Sequence, residues 1–164
     1  MSAEGGVSEG EKRYMREAIS LAQQGVEAGD GGPFGAVVVC DGVVVGRGWN
    51  RVVGGNDPTA HAEVEAIRDA CRRLGSFSLD GCRLYVSCQP CPMCFSASYW
   101  ARLDEVVYAA DEGDAAAIGF DDAAIAVELG LAPGQRRLAS RQLLREEALP
   151  VFALWRDKAD KVPY

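Results

Sequence analysis

A chain of 164 residues, 48 % of them hydrophobic, is long enough to bury a full-sized core as one domain spanning 1–164. Its 17 basic and 24 acidic residues leave a net charge of −7, which argues against a nucleic-acid partner and for a small substrate, because phosphates are bound by clustered Lys and Arg. No stretch approaches the roughly 20 apolar residues of a membrane span, and the opening MSAEGGVSEGEKRYM lacks the basic start and apolar core of a signal peptide.

About the first nine residues read as a polar, flexible tip. From 11 to 28, Tyr14, Met15, Ala18, Ile19, Ala22 and Val26 share one helical face, and Gly29 ends the pattern. PFGAVVVC reads as a buried strand and Asp41-Gly42 as a tight hairpin turn. VVVGRGWN returns antiparallel and ends at Asn50, and RVVGGNDPT is a loop. A helix follows over 58–74, with Asp57 before Pro58 as its start signal. Its apolar face is Val64, Ile67, Cys71 and Leu74, and His61 lies on that face in the first turn.

CRLYVSC is a third strand, PCPMCFSASYWA a short helix opened by Pro92, and DEVVYAA a fourth strand. FDDAAIAVELG is a helix stopped at Gly130. RRLASRQLL fits strand or helix and counts as a weak strand. EALPVFALWRDKAD is the last helix, followed by KVPY. The class is therefore α/β. Helices alternating with strands 3 and 4 require parallel crossovers, while the first hairpin is antiparallel, so the sheet is mixed, with helices on both faces. Six cysteines and no secretion signal suggest a reducing cytoplasm. Cys40, Cys71 and Cys82 sit in apolar segments and read as buried small hydrophobes.

The remaining three cysteines fall in SCQPCPMC. Cys91 and Cys94 have the spacing that lets two thiolates meet one ion. A helix N-terminus at Pro92 favours the thiolate form. His61, the single histidine, also opens a helix. Two helix starts at one edge of the sheet can bring His61, Cys91 and Cys94 onto one tetrahedral zinc, with the fourth position open to water. A closed structural site that adds Cys88 is the competing arrangement, although Cys88 ends a strand and would have to reach over Pro90. Glu63, two residues past His61, can take a proton from metal-activated water and pass it on. The plainer account of Glu63 is a first-turn acid favoured by the helix dipole.

HAE and PCPMC together carry the H-x-E…P-C-x-x-C signature of zinc-dependent nucleobase and nucleoside deaminases. GGPFGAVVV, NDPTAHAEVEAIR, LYVSCQPCPMCFSASYWAR and GFDDAAI, with a terminal tyrosine, resemble the bacterial guanine deaminase branch over nearly the whole chain. The resemblance implies a three-layer α/β/α cytidine-deaminase-like fold around a five-stranded mixed sheet. It also implies one zinc per chain on His61, Cys91 and Cys94, and conversion of guanine and water to xanthine and ammonia. Attack at C2 would come from zinc hydroxide, with Glu63 as proton shuttle. Asn50, Phe34, Ala62 and Asp122 would contact the purine, Asp114 being a weaker candidate for the base-reading carboxylate. Tyr164 would close the site from a partner subunit, in a homodimer that exchanges its C-terminal helix and tail over about 146–164.

Gln89 stands where that branch usually has Glu, and removes a negative charge beside the metal loop. Deamination of guanosine or another amino-heterocycle such as ammeline is the nearest alternative. A tRNA adenosine deaminase shares the two motifs but fits the acidic charge and GFDD less well. A catalytically dead zinc module is a third, which the presence of Glu63 argues against.

Overall fold

The computed structural model describes residues 8–164, and these divide into a unit that runs to Ala123 and a second unit, Ala124–Tyr164. Helix α1, Glu9–Glu27, begins two residues earlier than its apolar pattern suggests. The reason is a capping box: Ser8 Oγ accepts from Glu11 N at 3.2 Å, and the Glu11 carboxylate accepts from Ser8 N at 2.8 Å. Ser8 and Glu9 of the expected flexible tip therefore belong to the helix start; residues 1–7 of that tip lie outside the described residues. Tyr14, Ala18, Leu21 and Ala22 are buried, whereas Ile19 and Val26, expected on that face, are exposed.

Strands β1, Gly35–Cys40, and β2, Val43–Trp49, form the expected hairpin, with positive φ at Asp41 and Gly42. β1 is the centre of the core. Ala36 and Val38 pack with Ala62, Ala66 and Ala70 of α2, Ala62–Leu74, while Val37 and Val39 pack with Tyr14 and Leu21 of α1. This period-two alternation puts α1 and α2 on opposite faces. Three layers result in the first unit.

Close approach of α2 to β2 depends on two missing side chains. A Cβ on Gly46 would run into the carbonyl of Ala66, and one on Gly48 into the carbonyl of Ala62. The start of α2 is thereby laid against the end of β2, next to Asn50.

Strand β3, Cys82–Cys88, pairs antiparallel with β1 and parallel with β4, Glu105–Ala110; α3, Pro92–Trp100, is the crossover between them. The sheet order is β2-β1-β3-β4. The mixed α/β sheet matches expectation, but among the described residues it has four strands and not five. The weak strand expected over 136–144 does not form. Arg136 instead donates to the carbonyls of Leu131 and Leu129, and Arg137 N to the Glu128 carboxylate at 2.8 Å, which folds the segment onto the helix before it.

A short helix that the sequence pattern did not show, α4, Glu112–Ala117, is held by reciprocal capping between Asp111 and Asp114. Helix α5 covers Ala123–Gly130 and α6 covers Arg145–Asp157. No helix among the described residues is long and apolar enough to cross a membrane.

Cys40 and Cys82 are not free apolar fillers. They are register partners in the antiparallel β1–β3 pair, with Cα atoms 4.4 Å apart, and they form a disulfide. Pairing could not be read from the chain because it depends on which strand lies beside β1. Cys71, Cys88, Cys91 and Cys94 remain as thiols. Thiol titration of denatured, chelator-treated protein should therefore find four reactive thiols of the six cysteines before reduction and six after it. Six without reductant would disprove the Cys40–Cys82 bond.

Candidate active site

The site forms where the N-termini of α2 and α3 meet near the C-terminal end of β3. His61 is the N-cap residue of α2, with extended backbone at φ −73°, ψ 154°. The helix thus starts at Ala62 and not at Pro58. Asp57 does accept from Thr59 N at 2.8 Å and Thr59 Oγ1 at 2.7 Å, as a helix-opening residue would, but the turn does not continue, because His61 N donates to the Thr59 carbonyl and the Ala60 carbonyl accepts from Arg51 N. Cys91 is the N-cap residue of α3, and Cys94 lies in the first turn of that helix. Neither His61 nor Cys91 uses its side chain for capping, so both are left for another partner.

His61 Nδ1 lies 3.5 Å from Cys91 Sγ and 3.4 Å from Cys94 Sγ, and all three ligand atoms fall within 4.8 Å of one another. Ligands on a tetrahedral zinc, at roughly 2.0–2.1 Å for nitrogen and 2.3 Å for sulfur, are spaced by about 3.5 Å between N and S. One nitrogen and two sulfurs at this spacing fit zinc. The Cys91 thiol is pulled down to about 4, chiefly because Cys94 donates a hydrogen bond to it, with His61 adding to the effect. Cys94 is correspondingly pushed up and His61 raised, both through Cys91. The pair thus favours ionisation at Cys91, with Cys94 as the donor.

Cys88 is outside this group. Its thiol points to the Asp111 carbonyl at 3.5 Å, so the closed four-ligand arrangement is not what the chain builds. Glu63 is 6 % exposed, and burial raises its carboxyl above the ordinary range; it is hydrogen-bonded to Cys94 beside the metal group without belonging to it.

Asn50 is 4 % exposed at the end of β2. Its backbone N–H donates to the Phe34 carbonyl at 2.9 Å, and its Oδ1 accepts from Val52 N at 3.1 Å. Phe34 meets Phe120 edge to face, with ring centroids 4.9 Å apart. Phe120 was not singled out in the sequence, although GFDD places it two residues before Asp122.

Asp122 is half-buried just before α5, close enough for its charge to raise His61 and Cys88. Asp114 instead accepts from Asp111 N at 3.0 Å in the cap of α4, which ties up its carboxylate. Ala62 is fully buried between His61 and Glu63. Tyr164 is exposed in the second unit. Gln89, on the loop before Cys91, is anchored by its N–H to the Ala110 carbonyl at 2.8 Å.

Residues 8–110, the stretch that contains the metal group and Glu63, match the cytidine and deoxycytidylate deaminase zinc-binding region. The chain belongs to this deaminase family. Zinc is the metal of that region, in agreement with the ligand spacing. Within the family, the deaminase is 50 % identical to guanine deaminase of Bacillus subtilis over 151 residues, 92 % of this chain and 97 % of that protein. The crystal structure of the Bacillus subtilis guanine deaminase superposes with a TM-score of 0.90, covering 93 % of this chain and 98 % of that one. A guanine deaminase structure from Nitrosomonas europaea, at 36 % identity, reaches 0.64 and covers 71 % of this chain and 66 % of that one. The tRNA-specific adenosine deaminase of Aquifex aeolicus is 40 % identical over 101 residues, 62 % of this chain and 66 % of that protein.

Elemental analysis should find about one zinc per chain, as a three-ligand site implies. Cys94→Ala should lose metal and activity together, while Cys88→Ala should keep both. Loss of zinc from Cys88→Ala to the same extent would restore the closed site.

Proposed function

We propose that this deaminase hydrolyses guanine to xanthine and ammonia. The observation that carries the substrate is the 50 % identity to a guanine deaminase over 92 % of the chain, against 62 % coverage by a tRNA-specific adenosine deaminase. The observation that supports the reaction type is a buried carboxylate beside a three-ligand metal group.

His61, Cys91 and Cys94 would hold zinc, which would supply a water activated to a pKa of about 7. Glu63 would take up one proton of that water and pass it to the ring nitrogen next to C2 as the C2–O bond forms; it would then take the second proton from the new C2 hydroxyl and pass it to the amine, so that C2–N breaks, ammonia leaves and the C2 carbonyl remains. A carboxyl whose burial favours its protonated form is suited to both directions of transfer. The Asn50 NH₂ faces acceptors on the purine. Asp122 supplies the acceptor that guanine N1–H and its amine need. Phe34 and Phe120 flank the ring plane. Ala62 keeps the floor of the site small.

The same reading makes the chain a single deaminase domain acting in the cytoplasm as a homodimer. Exposed Ile125, Val127, Leu129, Phe152, Leu154 and Trp155 in the second unit support covering of 146–164 by a partner subunit. The Cys40–Cys82 disulfide is the feature that sits least easily with a reducing compartment. In that dimer Tyr164 closes the site of the other subunit, excludes water and leaves no room for a ribose.

Glu63→Gln should keep zinc and the fold and lose at least about 10²-fold in rate, the range of a positioned proton shuttle. Retained turnover would rule out this mechanism. An ammonia-release screen over guanine, guanosine, adenine, cytosine, cytidine and ammeline tests the substrate, with intact protein and with a form lacking residues 161–164. The intact enzyme should prefer guanine over guanosine by a wide margin. The shortened form should stay zinc-loaded and lose most of its guanine turnover; full activity would remove Tyr164 from the site.

A further inference from the structure

The ten residues 51–60 join the purine-facing Asn50 to the metal ligand His61. Both ends of this loop are fastened to each other. Arg51 N donates to the Ala60 carbonyl at 2.9 Å, and Asn50 Oδ1 accepts from Val52 N at 3.1 Å. In its middle, Asp57 N donates to the Val52 carbonyl at 3.2 Å, while the Asp57 carbonyl accepts from Ala60 N at 3.1 Å and the Thr59 carbonyl from His61 N at 2.8 Å. The Asp57 backbone therefore holds the Asn50 end and the His61 end at once.

The Asp57 side chain fixes Thr59, whose carbonyl accepts from His61 N. Its Oδ1 accepts from both Thr59 N and Thr59 Oγ1, which fixes a turn over 57–59. Those two bonds hold the carboxyl below its usual range, so it is a full anion at neutral pH. Oδ2 lies 3.9 Å from the Arg68 guanidinium on α2, the helix that carries Glu63.

The competing structure is a helix that starts at Pro58, where proline is well placed for a first turn. Such a helix would continue through His61 and change its ψ from 154° to a helical value near −42°, turning the ring away from Cys91 and Cys94. Backbone bonds prevent that helix: the Ala60 carbonyl is taken by Arg51 N at 2.9 Å, and His61 N donates to the Thr59 carbonyl at 2.8 Å, which keeps His61 extended. The Asp57 carboxylate, bonded to Thr59 N and Oγ1, fixes the residue whose carbonyl holds His61.

We infer that Asp57 is a positioning residue of the site: through its turn with Thr59 it holds His61 in the geometry that binds metal and ties that ligand to Asn50. It touches neither metal nor substrate. The inference rests on the zinc site of His61, Cys91 and Cys94 but not on which base is deaminated.

The test is therefore metal retention, measured by competition of the zinc-loaded protein with a chelator, alongside thermal unfolding and turnover. Asp57→Ala should stay folded and bind zinc about 10- to 100-fold more weakly, the cost of removing a group that orients a ligand. Asp57→Asn keeps an oxygen that can accept both Thr59 bonds and should recover most of that loss. Thr59→Val removes only the hydroxyl bond and should give a smaller loss of the same sign; it also serves if Asp57→Ala does not fold. Zinc held as tightly by Asp57→Ala as by the parent would overturn the inference, and so would an Asp57→Asn protein as weak as Asp57→Ala. A different preferred base in the substrate screen would leave these zinc affinities unchanged and count only against the guanine assignment.

Discussion

The site depends on two helix N-termini arriving within one bond length of a common ion. His61 and Cys91 occupy equivalent places, each the last extended residue before a helix, and each keeps its side chain out of the cap. Cys94 follows one turn later, on the inner side of α3. Three ligand atoms then fall within 4.8 Å, so the geometry for a tetrahedral cation is built by backbone packing before a metal is bound. The glycines of β2 make this possible. Without side chains at Gly46 and Gly48, α2 can lie on the sheet closely enough to carry its first residues to the strand ends.

Electrostatics follow from that arrangement. The Cys91 thiol is held low by the hydrogen bonds that it accepts from Cys94 and His61, and it stands at a helix N-terminus, which favours the same form. Glu63 shares the position but not the role. Its burial disfavours the anion, and its place two residues past His61 keeps it beside the metal without ligating it. A carboxyl in this state can accept a proton and return it, which is the chemistry that hydrolytic deamination asks of it.

The residues around the metal group have other bonds of their own. Asn50 Oδ1 accepts from Val52 N. Asp114 accepts from Asp111 N in the cap of α4, whereas Asp122 lies half-buried before α5. Phe34 and Phe120 meet edge to face from two segments far apart in the chain. Among the described residues, those that meet at the metal and those that flank it all belong to the first unit.

The sequence by itself determined the metal group of His61, Cys91 and Cys94, the carboxylate two residues past His61, the first hairpin and the parallel crossover between β3 and β4. These depend on short-range spacing, helix and turn chemistry and apolar period, all of which are local. Tertiary structure decided what depends on neighbours. It showed that Cys88 faces Asp111 and not the metal, and that Cys40 and Cys82 are opposite each other across β1 and β3. It also gave four strands, because the arginines of 136–144 bind back onto the preceding helix end where a ladder partner was expected. The start of α2 shows the limit most plainly. Pro58 signals a helix, yet α2 starts at Ala62, because the Ala60 carbonyl is taken by Arg51 N and His61 N by the Thr59 carbonyl, which leaves no helical ladder through His61. Which of two such local structures is adopted depends on what the rest of the fold fastens to it, here Val52 and Ala60, and that is not written in the ten residues themselves.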